Sequence, residues 1–232
     1  MNIKGNTFVV GDIHGAYRAF IQCLEKAKFD YNNDLLISLG DVFDGWSEPD
    51  KVIDEMLKIS NLIYIRGNHD EFALKWAETG IVTNDWILNS GLTTINCYPG
   101  GIPDKHLNVI KDSGYYYLLD NILFVHGGIE PDADIKQQQK ETLMWDRNLF
   151  SLAIYYYLNK KEFHVNGFDE IYIGHSPLHR FNIYHPVNSG NVWLMDTGAG
   201  WNGCLSMMNI VTHEFFTSDI VTDLYPDEKG RF

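Results

Sequence analysis

Five times along this chain a short apolar run stops at a glycine-flanked cluster of Asp, Asn or His. "TFVV" (Thr7–Val10) runs into "GDIHG", "DLLISL" into "GDVFDG", "LIYI" (Leu62–Ile65) into "RGNHD", "ILFV" into "HGG" and "IYI" into "GHS". Such runs suit strands covered on both faces. Carboxylates at their ends are costly to bury unless something positive meets them. In open α/β sheets, ligand sites gather beyond the carboxyl ends of strands, so a fold is needed that brings these five ends together. A fixed G-D-x-H-G alone arises by chance in roughly one chain of this length per thousand. The five clusters in order, each behind an apolar run, form a far more specific signal.

The intervening segments read as helices. Ala16–Lys28 carries Phe20, Ile21 and Leu24 on one face. Pro49 opens a helix bearing Val52, Ile53, Met56 and Leu57, and Glu71–Glu78 forms a third. This βαβαβ order implies parallel strands with helical crossovers. The second half differs. "YYYLL" precedes "ILFV", a helical region over about Gln137–Tyr157 precedes "IYI", and "FNIY", "NVWLM", "CLSMMNIV" and "EFF" follow at hairpin-like spacing. The expected fold class is α/β with α+β character: a mixed, two-sheet β-sandwich core flanked by helices. With no low-complexity linker and no internal repeat, residues 1–232 are expected to form one domain.

Charge narrows the partners. Eighteen basic against 31 acidic side chains leave a net charge of −13, and "KGR" near the end is too short to make a basic patch. Such a surface repels nucleic acid and anionic membranes. No apolar run is long enough to span a bilayer, and "MNIKGNTFVV" lacks a secretory signal, so a cytoplasmic protein is expected. Cys23, Cys97 and Cys204 form no CxxC pair and read as small buried hydrophobes.

The clusters offer carboxylate, amide and imidazole donors through Asp12, His14, Asp41, Asn68, His126 and His175. This set suits mid-range divalent ions such as manganese, iron or zinc better than calcium or a thiolate site. Six protein ligands are too many for one catalytic ion with an open position, but suffice for two if one carboxylate bridges them. Two such ions can clamp both sides of an in-line phosphoryl displacement.

In these motifs the chain resembles the metal-dependent Ser/Thr phosphoprotein phosphatases of the calcineurin-like metallophosphoesterase superfamily, in its short bacterial and bacteriophage form. That pattern reads GDxHG, GDxxDRG, GNH followed by Glu or Asp, HGG or HAG, and GH. The likeness runs from Asp12 to "MDTGAGWNGCLSMMNI", where similar proteins place an Asp-Thr-Gly-Ala turn between late strands. It implies two divalent cations, manganese by family habit, with iron, zinc and nickel also admissible. Asp12 and His14 would hold the first, Asp41 would bridge, and Asn68, His126 and His175 would complete the second. A hydroxide between the ions would attack phosphorus in line, while His69, oriented by Asp44, protonates the departing alkoxide. The substrate would be a phosphorylated protein or small phosphoester, its phosphate met by Arg147 in "LMWDRN" and by Asn68, with Arg66 in a mainly supporting role.

The pattern breaks once. The family arginine after Asp44 is replaced by Gly45, followed by Trp46, so a bidentate phosphate anchor is missing. Either binding is weaker or another arginine supplies the charge. Trp46 is expected to pack at the rim of the site. His106, His164, His179, His185 and His213 read as structural or exposed, with His179 and Arg180 close enough to "GHSPL" to be weighed as groove residues. Three functions stay open: a phosphoprotein phosphatase, a symmetrical dinucleoside tetraphosphate hydrolase, and a non-catalytic metal-binding module. Asp70 occurs in both enzyme types, whereas Asp44 favours the first. Substrate and oligomeric state stay open as well.

Overall fold

The computed structural model describes residues 4–131, 133–161 and 163–231. Residues 1–3, part of the stretch read for a secretory signal, lie outside the described residues. The first half runs β1 (Thr7–Val10), α1 (Tyr17–Ala27), β2 (Leu35–Ser38), α2 (Pro49–Met56), β3 (Asn61–Tyr64) and α3 (Asn68–Thr79). The short helices α4 (Asn84–Leu88), α5 (Gly91–Cys97) and α6 (Asp104–Lys111) follow. Next come β4 (Tyr116–Leu119), β5 (Ile122–Val125), α7 (Lys140–Trp145), α8 (Asn148–Leu158), β6 (Glu170–Ile173), β7 (Val187–Ser189), β8 (Val192–Leu194), β9 (Ser206–Asn209), β10 (Phe215–Thr217) and α9 (Val221–Leu224).

Two mixed five-stranded sheets result, ordered β10-β9-β1-β2-β3 and β4-β5-β6-β8-β7. In the first, β1, β2 and β3 are parallel, with Val9 opposite Ile37 and Ile37 opposite Ile63. β9 and β10 extend that sheet antiparallel. In the second, β5, β6 and β8 are parallel between antiparallel edges β4 and β7. The α/β expectation of two mixed sheets with flanking helices is what the chain adopts.

Period-two alternation sorts the apolar residues between layers. Val9, Leu35 and Ile37 point inward with Met208 of their own sheet and pack with Phe124, Tyr172 and Met195 of the facing one. Their neighbours Phe8, Val10 and Leu36 point outward under Phe20, Leu24, Val52 and Ile53 of α1 and α2. On the other side Leu123, Val125, Ile171 and Ile173 meet Leu149, Phe150 and Ala153 of α8. Each such fully buried large side chain contributes about 1.5–3 kcal/mol.

The structure corrects three local readings. "FNIY" is no strand: Leu178–Phe181 forms a single 3₁₀ turn, and Asn182 takes the left-handed conformation (φ 58°) that turns the chain instead. The expected helix over Gln137–Tyr157 is broken after Trp145, because Asp146 is extended and its carboxylate accepts the Leu149 N–H to start α8 anew. α3 begins at Asn68 rather than Glu71, which sets Asn68 and His69 in its first turn. The helices α4–α6 and strand β7 are too short for their periodicity to stand out. No helix among the described residues is long and apolar enough to cross a membrane.

Candidate dinuclear metal centre

The strand ends of the two sheets are fastened directly to one another. The His175 N–H, after β6, donates to both carboxylate oxygens of Asp12, after β1, at 3.1 and 3.0 Å, while within the second sheet the Gly174 N–H donates to the His126 carbonyl at 2.8 Å. Within the first sheet, the N–H groups of Ile13 and His14 converge on the Asp41 carbonyl at 3.1 and 2.8 Å. Asp70, in the first turn of α3, accepts from the amides of Gly67, Asp41 and Val42 at 2.8, 2.9 and 2.9 Å. This one carboxylate pins the loop after β2 to the start of α3. Gly67 is required there, since a Cβ would lie 2.1 Å from Asp41 Oδ1. His14, Asp41, Asp44 and His175 all have positive φ, at 49°, 50°, 65° and 64°. Non-glycine residues held this way cost on the order of 1–3 kcal/mol each, a cost that over-determined loops at functional sites absorb.

Asp41 belongs to two compact donor sets. In one it joins Asp12 and His14, in the other His126 and His175, and within each set one ligand atom per residue lies within 4.8 Å of the others. All five side chains are buried. His14 donates from Nδ1 to the Phe43 carbonyl at 3.0 Å, which leaves Nε2 facing Asp41 and Asp12 at 3.8 and 4.0 Å. His126 likewise donates from Nδ1 to the Leu39 carbonyl at 2.9 Å. Its Nε2 faces Asp41 Oδ2 at 3.3 Å and Asn68 Oδ1 at 3.1 Å. Outer hydrogen bonds of this kind fix the tautomer and aim of metal-binding imidazoles.

Two atoms at the centre have no partner among the described residues: the buried His175 Nε2 and the buried Asp196 Oδ2. Each costs about 1–3 kcal/mol if left so. Burial pushes the Asp12 carboxyl well above its ordinary range, and the negative charge of Asp196 adds to this. Burial also pulls the His14 and His175 imidazoles well down. Burial opposes charge on His126 too, but Asp41 and Asp12 outweigh it and hold that imidazole at about 10. A crowd of buried carboxylates, neutral imidazoles aimed inward and an orphaned ring nitrogen is what divalent cations would satisfy, so the residues fit the implied pair of ions.

Beside these sets, His69 Nδ1 lies 2.7 Å from Asp44 Oδ2. Asp44 is itself clamped: Trp86 Nε1 donates to Oδ2 at 2.8 Å and Thr94 Oγ1 to Oδ1 at 2.6 Å. The His69 amide donates to Asp41 Oδ1 at 2.9 Å, so the same short helix start links the imidazole to the residue shared by both donor sets.

The arginines divide. Arg147 Nη1 reaches the His175 carbonyl at 3.3 Å and Ser176 Oγ at 3.0 Å. With Ser176, Pro177 and Arg180 it lines a cleft of about 200 Å³. Arg66 is turned away from a phosphate-contacting role. Its guanidinium is spent on Glu71 at 3.1 Å, the Ile110 carbonyl at 2.7 Å and Ser113 at 3.0 Å, which leaves it a supporting part. Trp46 packs, but in the core rather than at the rim. It is fully buried, donates to the Ala199 carbonyl at 2.7 Å and stacks on Tyr225 at 5.0 Å. His179 stacks on Trp201 at 5.5 Å.

Sequence reasoning alone misses several participants. Asp196, quoted above only as part of a turn, comes to lie beside Asp12. Trp86 and Thr94 carry no motif. Arg231, within the short "KGR", places Nη1 3.1 Å from His14 Nε2. Only the glycine-rich "DTGAG" offers a local signal.

Comparison with known proteins accords with this geometry. The family profile described as Calcineurin-like phosphoesterase matches residues 6–199. The chain is 27% identical over 214 residues to Serine/threonine-protein phosphatase 1 of Salmonella typhimurium, covering 88% of this chain and 92% of that one. It is 38% identical over 211 residues to Serine/threonine-protein phosphatase 2 of Escherichia coli, with the same coverage. A symmetrical bis(5'-nucleosyl)-tetraphosphatase of Coxiella burnetii is 28% identical over 146 residues, 57% of this chain but only 45% of that relative. Among solved structures, a putative diadenosine tetraphosphatase superposes with a TM-score of 0.67 at 15% identity, covering 93% of this chain and 94% of that one, a likeness of fold.

Proposed function

The chain belongs to the calcineurin-like phosphoesterases, and from that premise we propose that it removes phosphate from the serine and threonine side chains of proteins. The observation that carries this reading is the His69–Asp44 pair at 2.7 Å, with Asp44 clamped by Trp86 and Thr94. An alkoxide is a poor leaving group and needs a proton as it departs; a nucleotide phosphate is a far better one and needs none. A positioned general acid contributes roughly 10²–10⁴-fold, and most where the leaving group is poorest.

Two divalent cations, one held by Asp12, His14 and Asp41 and the other by Asp41, Asn68, His126 and His175, would supply charge neutralisation at phosphorus and a more acidic water. Manganese is the ion we assign by family habit; the mixed oxygen and nitrogen donors suit iron and zinc as well. The protein's own groups do the rest. Asn68 and Arg147 orient the phosphoryl group, and Arg147 brings a charge that suits it. His69 gives its proton to the departing oxygen, while Asp44 keeps the ring aimed. Asp41 holds the two donor sets in register through its backbone carbonyl and carboxylate.

A second reading, cleavage of dinucleoside polyphosphates, draws on the Coxiella burnetii relative and on the cleft where Arg147 and Arg180 stand together. Parallel hydrolysis assays, with Mn²⁺ and with chelator, of a phosphoserine/phosphothreonine peptide and of diadenosine tetraphosphate decide between them. We expect faster metal-dependent phosphate release from the peptide. Preferential cleavage of the dinucleotide would keep the centre and overturn the protein substrate.

A further inference from the structure

One positive charge facing the centre comes from a segment far away in sequence. Arg231 Nη1 lies 3.1 Å from His14 Nε2, and its guanidinium faces the negative charge of Asp41, Asp44, Asp196 and Asp12. Its Nε is buried and has no hydrogen-bond partner among the described residues.

The side chain is delivered by a built path. The Arg231 amide donates to the Gly200 carbonyl at 2.8 Å, and its guanidinium carbon sits 4.4 Å over the Trp201 ring, an attraction suited to a flat cation. Earlier in the same segment, Glu228 accepts from Ser47 N and Oγ at 3.1 and 2.7 Å, and Tyr225 stacks on Trp46. Two glycines leave it room. A Cβ at Gly200 would come within 3.1 Å of Arg231 Cδ, and one at Gly45 within 3.3 Å of Arg231 Cγ. The stem of Arg231 thus runs past the bare Cα of Gly45, the position where an arginine is expected and none is found.

We propose that Arg231 is a substrate-binding residue whose guanidinium receives the phosphoryl group beside the Asp12–His14–Asp41 donors, standing in for the absent side chain at position 45. The inference rests on the phosphoesterase reading above and deepens it. The neighbour that now accepts from Nη1 is His14 Nε2, the atom that a bound cation would claim. Nη1 then loses that acceptor while Nε has none, and phosphate oxygens suit the charged, planar fork of donors that a guanidinium presents. Gly45, Gly200 and Trp201 line the path of this side chain, and Trp46 lies against Gly230 just before it.

Binding of inorganic phosphate to the Mn²⁺-loaded full chain, measured by titration calorimetry, tests the inference without relying on turnover. Arg231→Ala should weaken phosphate binding roughly 10–100-fold, the worth of a charged hydrogen bond. It should raise KM for p-nitrophenyl phosphate more than it lowers kcat, while Mn²⁺ stoichiometry stays at the wild-type value. Arg231→Lys, which keeps charge but not the fork, should recover only part of the loss and guards against a misfolded alanine variant. Phosphate affinity within about twofold of wild type in Arg231→Ala, or a loss of Mn²⁺ that accounts for the change, overturns the inference. A wild-type protein that binds no phosphate overturns it as well. Failure of wild type to turn over any phosphoester sinks the function reading instead, and the titration still scores Arg231.

Discussion

Oδ2 of Asp44 lies 2.7 Å from Nδ1 of His69, and the same oxygen accepts the indole N–H of Trp86 at 2.8 Å. One carboxylate oxygen therefore couples the proposed proton donor to α4, a helix that lies outside all five motifs in sequence. The other oxygen is held by Thr94 at 2.6 Å, so Asp44 has no freedom to turn away.

His69→Asn should leave metal binding intact while kcat on a phosphoserine or phosphothreonine peptide falls roughly 10²–10⁴-fold. The drop should be much smaller for p-nitrophenyl phosphate, whose leaving group scarcely needs a proton. Equal losses on both substrates, measured at saturation, would remove His69 from the acid role.

Trp86→Phe tests the clamp from behind. It strips one donor from a buried carboxylate, so thermal or urea unfolding should show a loss of about 1–3 kcal/mol. kcat on the peptide should fall by less than in His69→Asn, with KM and Mn²⁺ affinity little changed. A variant with wild-type kcat would mean that Thr94 alone keeps Asp44 in place.

Asp41→Asn attacks the residue shared by both donor sets. Mn²⁺ affinity should fall by more than the roughly 10–100-fold typical of losing an outer-shell partner. Wild-type protein should melt at higher temperature in Mn²⁺ than in chelator, by an amount approaching about 2.7 kcal/mol per ion at a hundredfold excess over Kd. Two ions bound at full affinity in Asp41→Asn would show that this carboxylate does not bridge.

Asp196→Asn carries a pH signature. Burial raises the Asp196 carboxyl to about 6, against about 4 for a free aspartate. An acid raised in this way favours the fold at low pH, and that contribution is lost as pH climbs through the raised value. In chelator the wild type should therefore lose about 2 kcal/mol between pH 4 and 6 that the variant keeps. Melting curves should show the variant ahead of wild type above pH 6 and level with it near pH 4. A constant offset across that range would rule out Asp196 titration as the cause.

The donor set of the centre is legible in the sequence because each donor obeys a local rule. A strand ends where its apolar alternation ends, glycine lets the chain turn, and the next polar residue sits at the sheet's edge. Asp12, Asp41, Asn68, His126 and His175 are each within a few residues of such an edge. The two mixed sheets follow from the change in strand spacing between the halves. The FNIY strand and the unbroken helix over Gln137–Tyr157 fail for a local reason of the opposite kind. Asn182 favours a left-handed turn and Asp146 favours a cap, and both outweigh the periodicity around them.

What the sequence determined by itself is the chemistry of the donors, the atoms that could hold cations; its resemblance to a family pattern added which imidazole would be paired with a carboxylate and which anchor is missing. Tertiary structure alone decided how that chemistry is aimed. Trp86 and Thr94 meet Asp44 from 42 and 50 positions away, and Arg231 meets His14 across 217. No periodicity links residues so far apart. Their meeting is set by how layers pack and by where bare glycines leave room, and those terms exist only once the whole chain has folded.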